Sequence, residues 1–471
     1  MKSSNETYPM LKSITIMLSL CAVLLISATQ QAAAQVGWAV GNKATILYTP
    51  NGTDKNGWTI QAAPADTENL NGVSAFDANN AWIVGNRNLP KRPNGTILYF
   101  DGTLNNDGKQ VWKLQDSKVQ VNLNGVTFVS AKKGWAVGDA GTILYTKDGG
   151  TTWTTQNKGG PNLYGISVWA SGNKYAGRAV GDVKNGKPTV LYTQDADAGQ
   201  WTAFQNPPNT NNVARSVSID WVVGDATFGV WRYVGNGQWN PQDLGVYKRT
   251  ADLRAVQRLR QAGYTWVAGK VQRLNDGRDV NVLRYNGVVW SSESTLIKAF
   301  DVYGLAFINK DQGWVVGQGG YIFHASDGSA IGIDAVDWEP QRNPYAKSNR
   351  QQLNAIAMLK KAGQDVKLGE STSPASGVAG ASYLSLSASD FPEGNINPAN
   401  VAIQLAVDCR GPELANVPAA SVVSGSRDGK LVSFLLPDGL SPGNYFVSIS
   451  DSTEGDANFE SSNCSEVNVS Q

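Results

Sequence analysis

Between residues 36 and 362 the chain repeats a short apolar run closed by glycine, followed each time by a second alternating run. The first recurs as GWAVG (Gly37–Gly41), AWIVG (Ala81–Gly85), GWAVG (Gly134–Gly138) and GRAVG (Gly177–Gly181). It returns as DWVVG (Asp220–Gly224), TWVAG (Thr265–Gly269) and GWVVG (Gly313–Gly317), and the closing glycines stand 44, 53, 43, 43, 45 and 48 residues apart. The second run reads TILYT at Thr45–Thr49 and Thr142–Thr146, TILYF at Thr96–Phe100 and TVLYT at Thr189–Thr193, then loosens to VWRYV, VLRYN and YIFHA. A tryptophan follows in every unit: Trp58, Trp112, Trp153, Trp201, Trp239, Trp290 and Trp338. A further strand pattern precedes each later unit, from LNGVSAF through LNGVTFV, LYGISVW, ARSVSI and LRAVQRL to VYGLAFI. Short alternating runs punctuated by glycine turns predict strands, and four of them repeated seven times predict an all-β, seven-bladed β-propeller.

The order of the strands predicts how the ring closes. Val36–Gly41 has no LNGV-type strand before it, whereas LNAIAML at Leu353–Leu359 has no glycine-closed run after it. Leu353–Leu359 is therefore expected to be the inner strand of the first blade, which removes the two open edges of an unclosed ring. The stretch TKDGGTTW (Thr146–Trp153) has the spacing of an Asp-box, a β-hairpin motif. Asp148 is expected to cap turn amides there, the glycines to take positive φ, and Trp153 to pack between blades.

Blades reading LNGV, GWAVGD and GTILYTxDGGxTW resemble the photosystem II assembly and stability factors of cyanobacteria and chloroplasts, within the wider bacterial-neuraminidase-repeat propellers. The resemblance spans about residues 36–362, is nearest at Leu123–Trp153 and fades around Trp239 and Trp290. It implies a non-enzymatic propeller outside the cytoplasm that binds a protein client during assembly. Beyond it, residues 363–382 contain STSPASGVAGAS (Ser371–Ser382) and are expected to be a linker. Residues 383–471 are expected to form a small β-sandwich, since LPDGLSPGNYFVSIS (Leu436–Ser450) resembles the last strands of an immunoglobulin-like domain of the IPT/TIG type.

Composition narrows the function. The 471 residues carry 17% charged side chains and a net charge of +1, which gives no overall pull toward nucleic acid. Lys2, Lys12 and the apolar run Ile14–Ile26, followed by Ala32–Ala34, read as a signal peptide over residues 1–34. That predicts a secreted, periplasmic or cell-surface protein, with an uncleaved anchor as the alternative. Taking away Lys2, Lys12 and Glu6 leaves 38 basic and 38 acidic residues. Cys409 and Cys464 then remain and are expected to form one disulfide in the C-terminal domain. No cofactor or metal is expected, since His324 is the single histidine.

Catalysis finds little support. The propeller region holds three glutamates, Glu68, Glu293 and Glu339, and a glycosidase needs two facing carboxylates. Asp139, Asp182 and Asp225 each follow a repeated glycine, a register that favours a turn role. The binding candidates are two groups. Aligned inner strands put Asn71, Asn124, Tyr164, Arg215, Arg254, Tyr303 and Asn354 in one register, either as a polar rim around the axis or as caps of strand ends. Between Tyr247 and Tyr285 stand nine basic and three acidic residues, among them Arg249, Arg254, Arg258 and Arg260. This is either a solvated face or a docking surface for an acidic protein segment, where guanidinium forks bind carboxylates; the family resemblance, with its arginine-rich face, favours docking. The expected partner is a protein client, a membrane-complex subunit or an acidic segment. A cell-surface glycan-binding or sialidase-like protein and a structural surface adhesin are the alternatives.

Overall fold

The computed structural model describes residues 35–470 apart from 172–173, 205–206, 208–211, 226–227, 248–251, 260–263, 273, 275–278, 293–300, 309–311, 326–337, 360–363, 367–370, 388–400, 408–414, 418–421, 425–430, 452–458 and 462–463. The expected signal peptide, Cys409, Arg249 and Arg260 lie outside the described residues.

Seven antiparallel four-stranded sheets form the propeller. Blade 1 joins Leu353–Met358, Gly37–Gly41, Thr45–Thr49 and Thr59–Gln61, from inner to outer strand. Blade 2 runs from Leu70 to Asp116, blade 3 from Leu123 to Asn157, blade 4 from Leu163 to Ala203, blade 5 from Ala214 to Pro241, blade 6 from Asp252 to Ser292 and blade 7 from Val302 to Gln341. Each inner strand touches the inner strands of both neighbours, so the ring is continuous. Closure is as the sequence predicts: Leu353–Met358 pairs antiparallel with Gly37–Gly41, with Trp38 opposite Ala357 and Ala39 opposite Ile356.

Tryptophan is the material that joins blades. Trp38, Trp82, Trp135, Trp221, Trp266 and Trp314 are fully buried on the second strands of six blades. Five of them pack against an aromatic group of the next blade, and Trp314 stacks on His324 of its own blade. Trp82 stacks on Phe128, which meets Trp153 edge to face, and Trp266 stacks on Phe307, which meets Trp338 the same way. A tryptophan removes about 200 Å² from water, on the order of 5 kcal/mol each by area. In this column blade 4 carries Arg178 instead, 4% exposed and ringed by Trp169, Tyr192, Phe204, Tyr233 and Trp239 at 4.7–5.8 Å from its guanidinium.

The repeated glycine that closes each second strand has one physical reason. A Cβ there would lie 1.9–2.4 Å from a carbonyl oxygen at the start of the inner strand, in all seven blades. Gly138 meets Asn122 in this way, and the following Asp139 N–H donates to the same oxygen at 3.0 Å.

The Asp-box is the turn that the sequence predicts. Asp148 accepts from the Thr152 N–H at 2.8 Å and from the Thr152 and Thr146 hydroxyls, while Gly149 and Gly150 sit at φ 73° and 90°. Burial would raise the Asp148 carboxyl, but these hydrogen bonds outweigh it and hold it below the usual range. Its oxygens are spent within its own turn. Trp153 is buried and donates to Gln115 on the preceding blade.

The C-terminal strands wrap a separate core that includes Leu384, Leu405, Phe434, Tyr445, Val447 and Val467. The linker expected at 363–382 is corrected here. Gln364–Val366 pairs in parallel with Phe459–Ser461, and Ser371–Val378 pairs in parallel with Ser465–Ser470. The Ser/Ala/Gly composition reads as flexible, but the edge of Ser465–Ser470 offers hydrogen-bonding groups that outweigh local propensity. Pro374 falls in the register gap between Ser371 and Ser376, where no ladder N–H is needed.

Candidate functional site

The seven register residues share a feature that alternation does not reveal. In every blade the pairing of the inner strand skips one residue, and that residue is the register residue. Leu70 and Gly72 have partners around Asn71, Leu123 and Gly125 around Asn124, and Leu163 and Gly165 around Tyr164. The same skip isolates Arg215, Arg254, Tyr303 and Asn354. Each is the extra residue of a β-bulge, a device that re-aims a side chain. All seven are half-buried. They lie where inner strands begin and second strands end, called here the upper face.

The ring divides into two chemistries. In blades 1–3 asparagine is a clasp. Asn354 donates to the Leu70 carbonyl at 2.8 Å and to Asn42 Oδ1 at 3.0 Å. Asn71 donates to the Leu123 carbonyl and to Asn86 Oδ1, both at 2.8 Å. Asn124 donates to the Leu163 carbonyl at 2.9 Å and to Asp139 Oδ1 at 3.0 Å. One amide thus ties its own turn to the next blade. In these three blades the amide is engaged within the ring itself.

Blades 4–7 carry the other chemistry. The Tyr164 hydroxyl donates to Asp182 at 3.0 Å, and the Arg215 guanidinium lies 4.9 Å from the Tyr164 ring while its Nη2 meets Asp225 Oδ2 at 2.7 Å. Arg254 Nη2 meets Asp252 Oδ2 at 2.7 Å, and its guanidinium lies 5.9 Å from the Tyr303 ring. Burial, then the Asp182 charge, raises the Tyr164 hydroxyl; burial, then Asp301, does the same for Tyr303. Both phenols therefore stay protonated donors at neutral pH. The two guanidiniums are held in plane by rings and by one carboxylate contact each, which leaves other donors of each fork for an incoming acceptor.

The described members of the basic run do not form one surface. Arg254 and Lys270 lie at the upper end of blade 6, since Lys270 pairs opposite Asp252. Arg258 stands four residues farther along the same inner strand, about 13 Å away at strand rise. It faces Asp220 at 3.7 Å, and Asp220 also meets Arg232 Nε at 3.1 Å. The Arg284 guanidinium lies 5.3 Å from the Tyr264 ring. A strand that crosses the whole blade distributes its charges between two ends. Arg258 therefore does not share a surface with Arg254, while Arg249 and Arg260 lie outside the described residues.

Sequence reasoning passed over Arg178. Its guanidinium donates to the Ile219 carbonyl, and burial lowers its pKa. The signal was present as one arginine in a column of tryptophans.

Comparison with known proteins finds a likeness over part of the chain. Residues 104–205 match the family model described as photosynthesis system II assembly factor YCF48. A solved structure described as YCF48 bound to D1 peptide is similar at 18% identity, covering 63% of this chain and 90% of that one, with a TM-score of 0.46. YCF48 from Cyanidioschyzon merolae is similar at 16% identity over 66% and 83% of the two chains, with a TM-score of 0.31. A GH74 enzyme of Niastella koreensis is similar at 14% identity over 93% and 73%, with a TM-score of 0.46. No curated protein matches by sequence. Over residues 104–205 the chain is thus similar to the photosystem II assembly factor family.

Proposed function

We propose that this chain is an exported, non-catalytic propeller that holds a protein client on its upper face, the client offering an acidic segment of a membrane-complex subunit. The observation that carries the reading is the split ring. Three of the seven bulges hold asparagines spent on clasping blades, whereas adjacent blades 5 and 6 present Arg215 and Arg254 at the same position with ring-supported forks. The match of residues 104–205 to an assembly-factor family supports a protein as the ligand class. The C-terminal immunoglobulin-like domain serves as spacer or second module in this reading.

The test exploits the repeat itself. Arg215→Asn/Arg254→Asn installs the residue that blades 1–3 already use, so the ring is expected to keep its stability. Client recovered on the full chain from native membranes should bind the double variant about 2–5 kcal/mol more weakly, as expected when charge-assisted contacts are lost. Unchanged affinity in a variant that melts normally would move the site off the rim.

A further inference from the structure

A cavity of about 670 Å³ opens between blades 3 and 4, within the usual range for ligand pockets. Its wall is apolar on one side, from Leu163, Leu191 and Pro161, and Gly141 and Gly160 leave another side as bare backbone. No acidic residue lines it, yet Lys184 and Lys187 do.

The hairpin that carries those lysines is a departure from the repeat. In blades 1, 2, 3, 5 and 7 the second strand ends at its closing glycine, but in blade 4 it continues from Gly181 to Lys184. Asn185 and Gly186, at φ 54° and 74°, turn the chain in two residues, and Lys184 stands directly opposite Lys187. Directly paired residues point to the same face, so two ammonium groups are held side by side, an arrangement that costs stability. Both lysines are exposed, and among the described residues no carboxylate pairs with either.

An extended hairpin, an unfavourable charge pair and a cavity beneath it converge on one ligand chemistry. We propose that this cleft binds a carboxylate carried on a compact aliphatic body, of the kind presented by an N-acylated leucine, either as a free molecule or as the end of a polypeptide. The ammonium groups supply point charges for the carboxylate. The wall of Leu163, Leu191 and Pro161 takes the side chain, and the glycine side admits a peptide-like backbone. This site does not depend on the arginine rim and stands or falls separately.

The probes are N-acetyl-L-leucine, N-acetyl-L-leucinamide and a flexible Gly/Ser peptide ending in leucine with a free carboxylate. Binding to the full chain is read from the indole N–H signal of Trp201, which lines the cleft and donates to Gln156 at 2.9 Å; the signal is assigned by its loss in Trp201→Phe. The acid is expected to saturate with a Kd on the order of 1 mM, and the amide to bind about tenfold more weakly. Lys184→Ala/Lys187→Ala should weaken the acid about tenfold, leave the amide unchanged and melt no lower than the parent. A peptide tighter than the free acid identifies a polypeptide as the source; a weaker one identifies a small molecule. Equal binding of acid and amide, unchanged binding in the double variant, or no shift with any probe overturns the proposal.

Discussion

Acid should loosen this propeller through one residue, His324. It occupies the third-strand position that holds Tyr48, Tyr99 and Tyr145 in blades 1–3, and it stacks on Trp314 at 4.5 Å. The side chain is 4% exposed and its Nε2 has no hydrogen-bond partner among the described residues. Burial therefore lowers its pKa from 6.5 to about 4. The unfolded chain takes up a proton near pH 6.5 and the folded chain resists until near pH 4, so stability is intact above 6.5 and falls as pH drops through that window. At pH 4.5 the unfolded state gains about two pH units of protonation free energy, and the folded state almost none. The loss is about 2–3 kcal/mol at 1.36 kcal/mol per unit.

The assay is urea unfolding of the chain and of His324→Phe at pH 7 and pH 4.5. All fifteen tryptophans lie between residues 38 and 338, so their fluorescence reports the propeller and not the C-terminal domain. Phenylalanine keeps the stack on Trp314 and cannot titrate. Carboxylates also protonate below pH 5, but they do so in both proteins, and the difference between the two pH dependences isolates the histidine. The variant should lose about 2–3 kcal/mol less than the parent between the two pH values. Identical losses would show that the imidazole is not buried in its neutral form, and the reasoning from burial would fail.

Other expectations follow from the same geometry. Ending the chain at Gln352 removes the inner strand of blade 1 and opens two sheet edges, so cooperative unfolding by tryptophan fluorescence should disappear; an unchanged melt would refute closure. Arg178→Ala empties a box of five aromatic rings and should cost about 3–5 kcal/mol in urea unfolding, while a cost below about 1 kcal/mol would mean the box collapses freely. A Cys409–Cys464 disulfide would close a loop of about 55 residues worth about 4 kcal/mol on a chain-entropy account; thiol labelling of the unreduced, denatured protein should find neither residue reactive.

Much of the fold is legible because a propeller is written in repeats. Seven glycines in register announced seven turns, and an orphan LNAIAML announced the closing strand; both need only counting. What counting could not reach was long-range hydrogen bonding. Asn71, Asn124 and Asn354 look like polar residues at strand starts, and nothing local says that each amide is claimed by a leucine carbonyl in the next blade. The basic run around blade 6 looked like one patch because neighbours in sequence were taken as neighbours in space, although a strand separates Arg254 from Arg258 by most of a blade's height. The stretch from Ser371 failed differently: its composition is that of a linker, and only the free edge of Ser465–Ser470 makes it a strand.

The bulge explains why one register can hold two kinds of side chain. Inserting a residue into the inner strand releases its side chain from the alternation that binds the rest of the strand to the core. The fold needs that residue only to span the gap between blades, and asparagine does so with two hydrogen bonds, each worth about 1 kcal/mol net. Stability alone would favour asparagine in all seven blades. Blades 4–7 hold tyrosine or arginine instead, whose polar ends are drawn toward aspartates of their own blade. Giving up a stabilising clasp at four neighbouring positions, and nowhere else on the ring, is the pattern expected where a surface has been kept for recognition at the expense of stability. The same logic applies to the paired lysines of the blade 4 hairpin, which the fold does not need and which stand on the same side of the ring. The sites to test are therefore the places where a regular structure departs from its own most stable repeat.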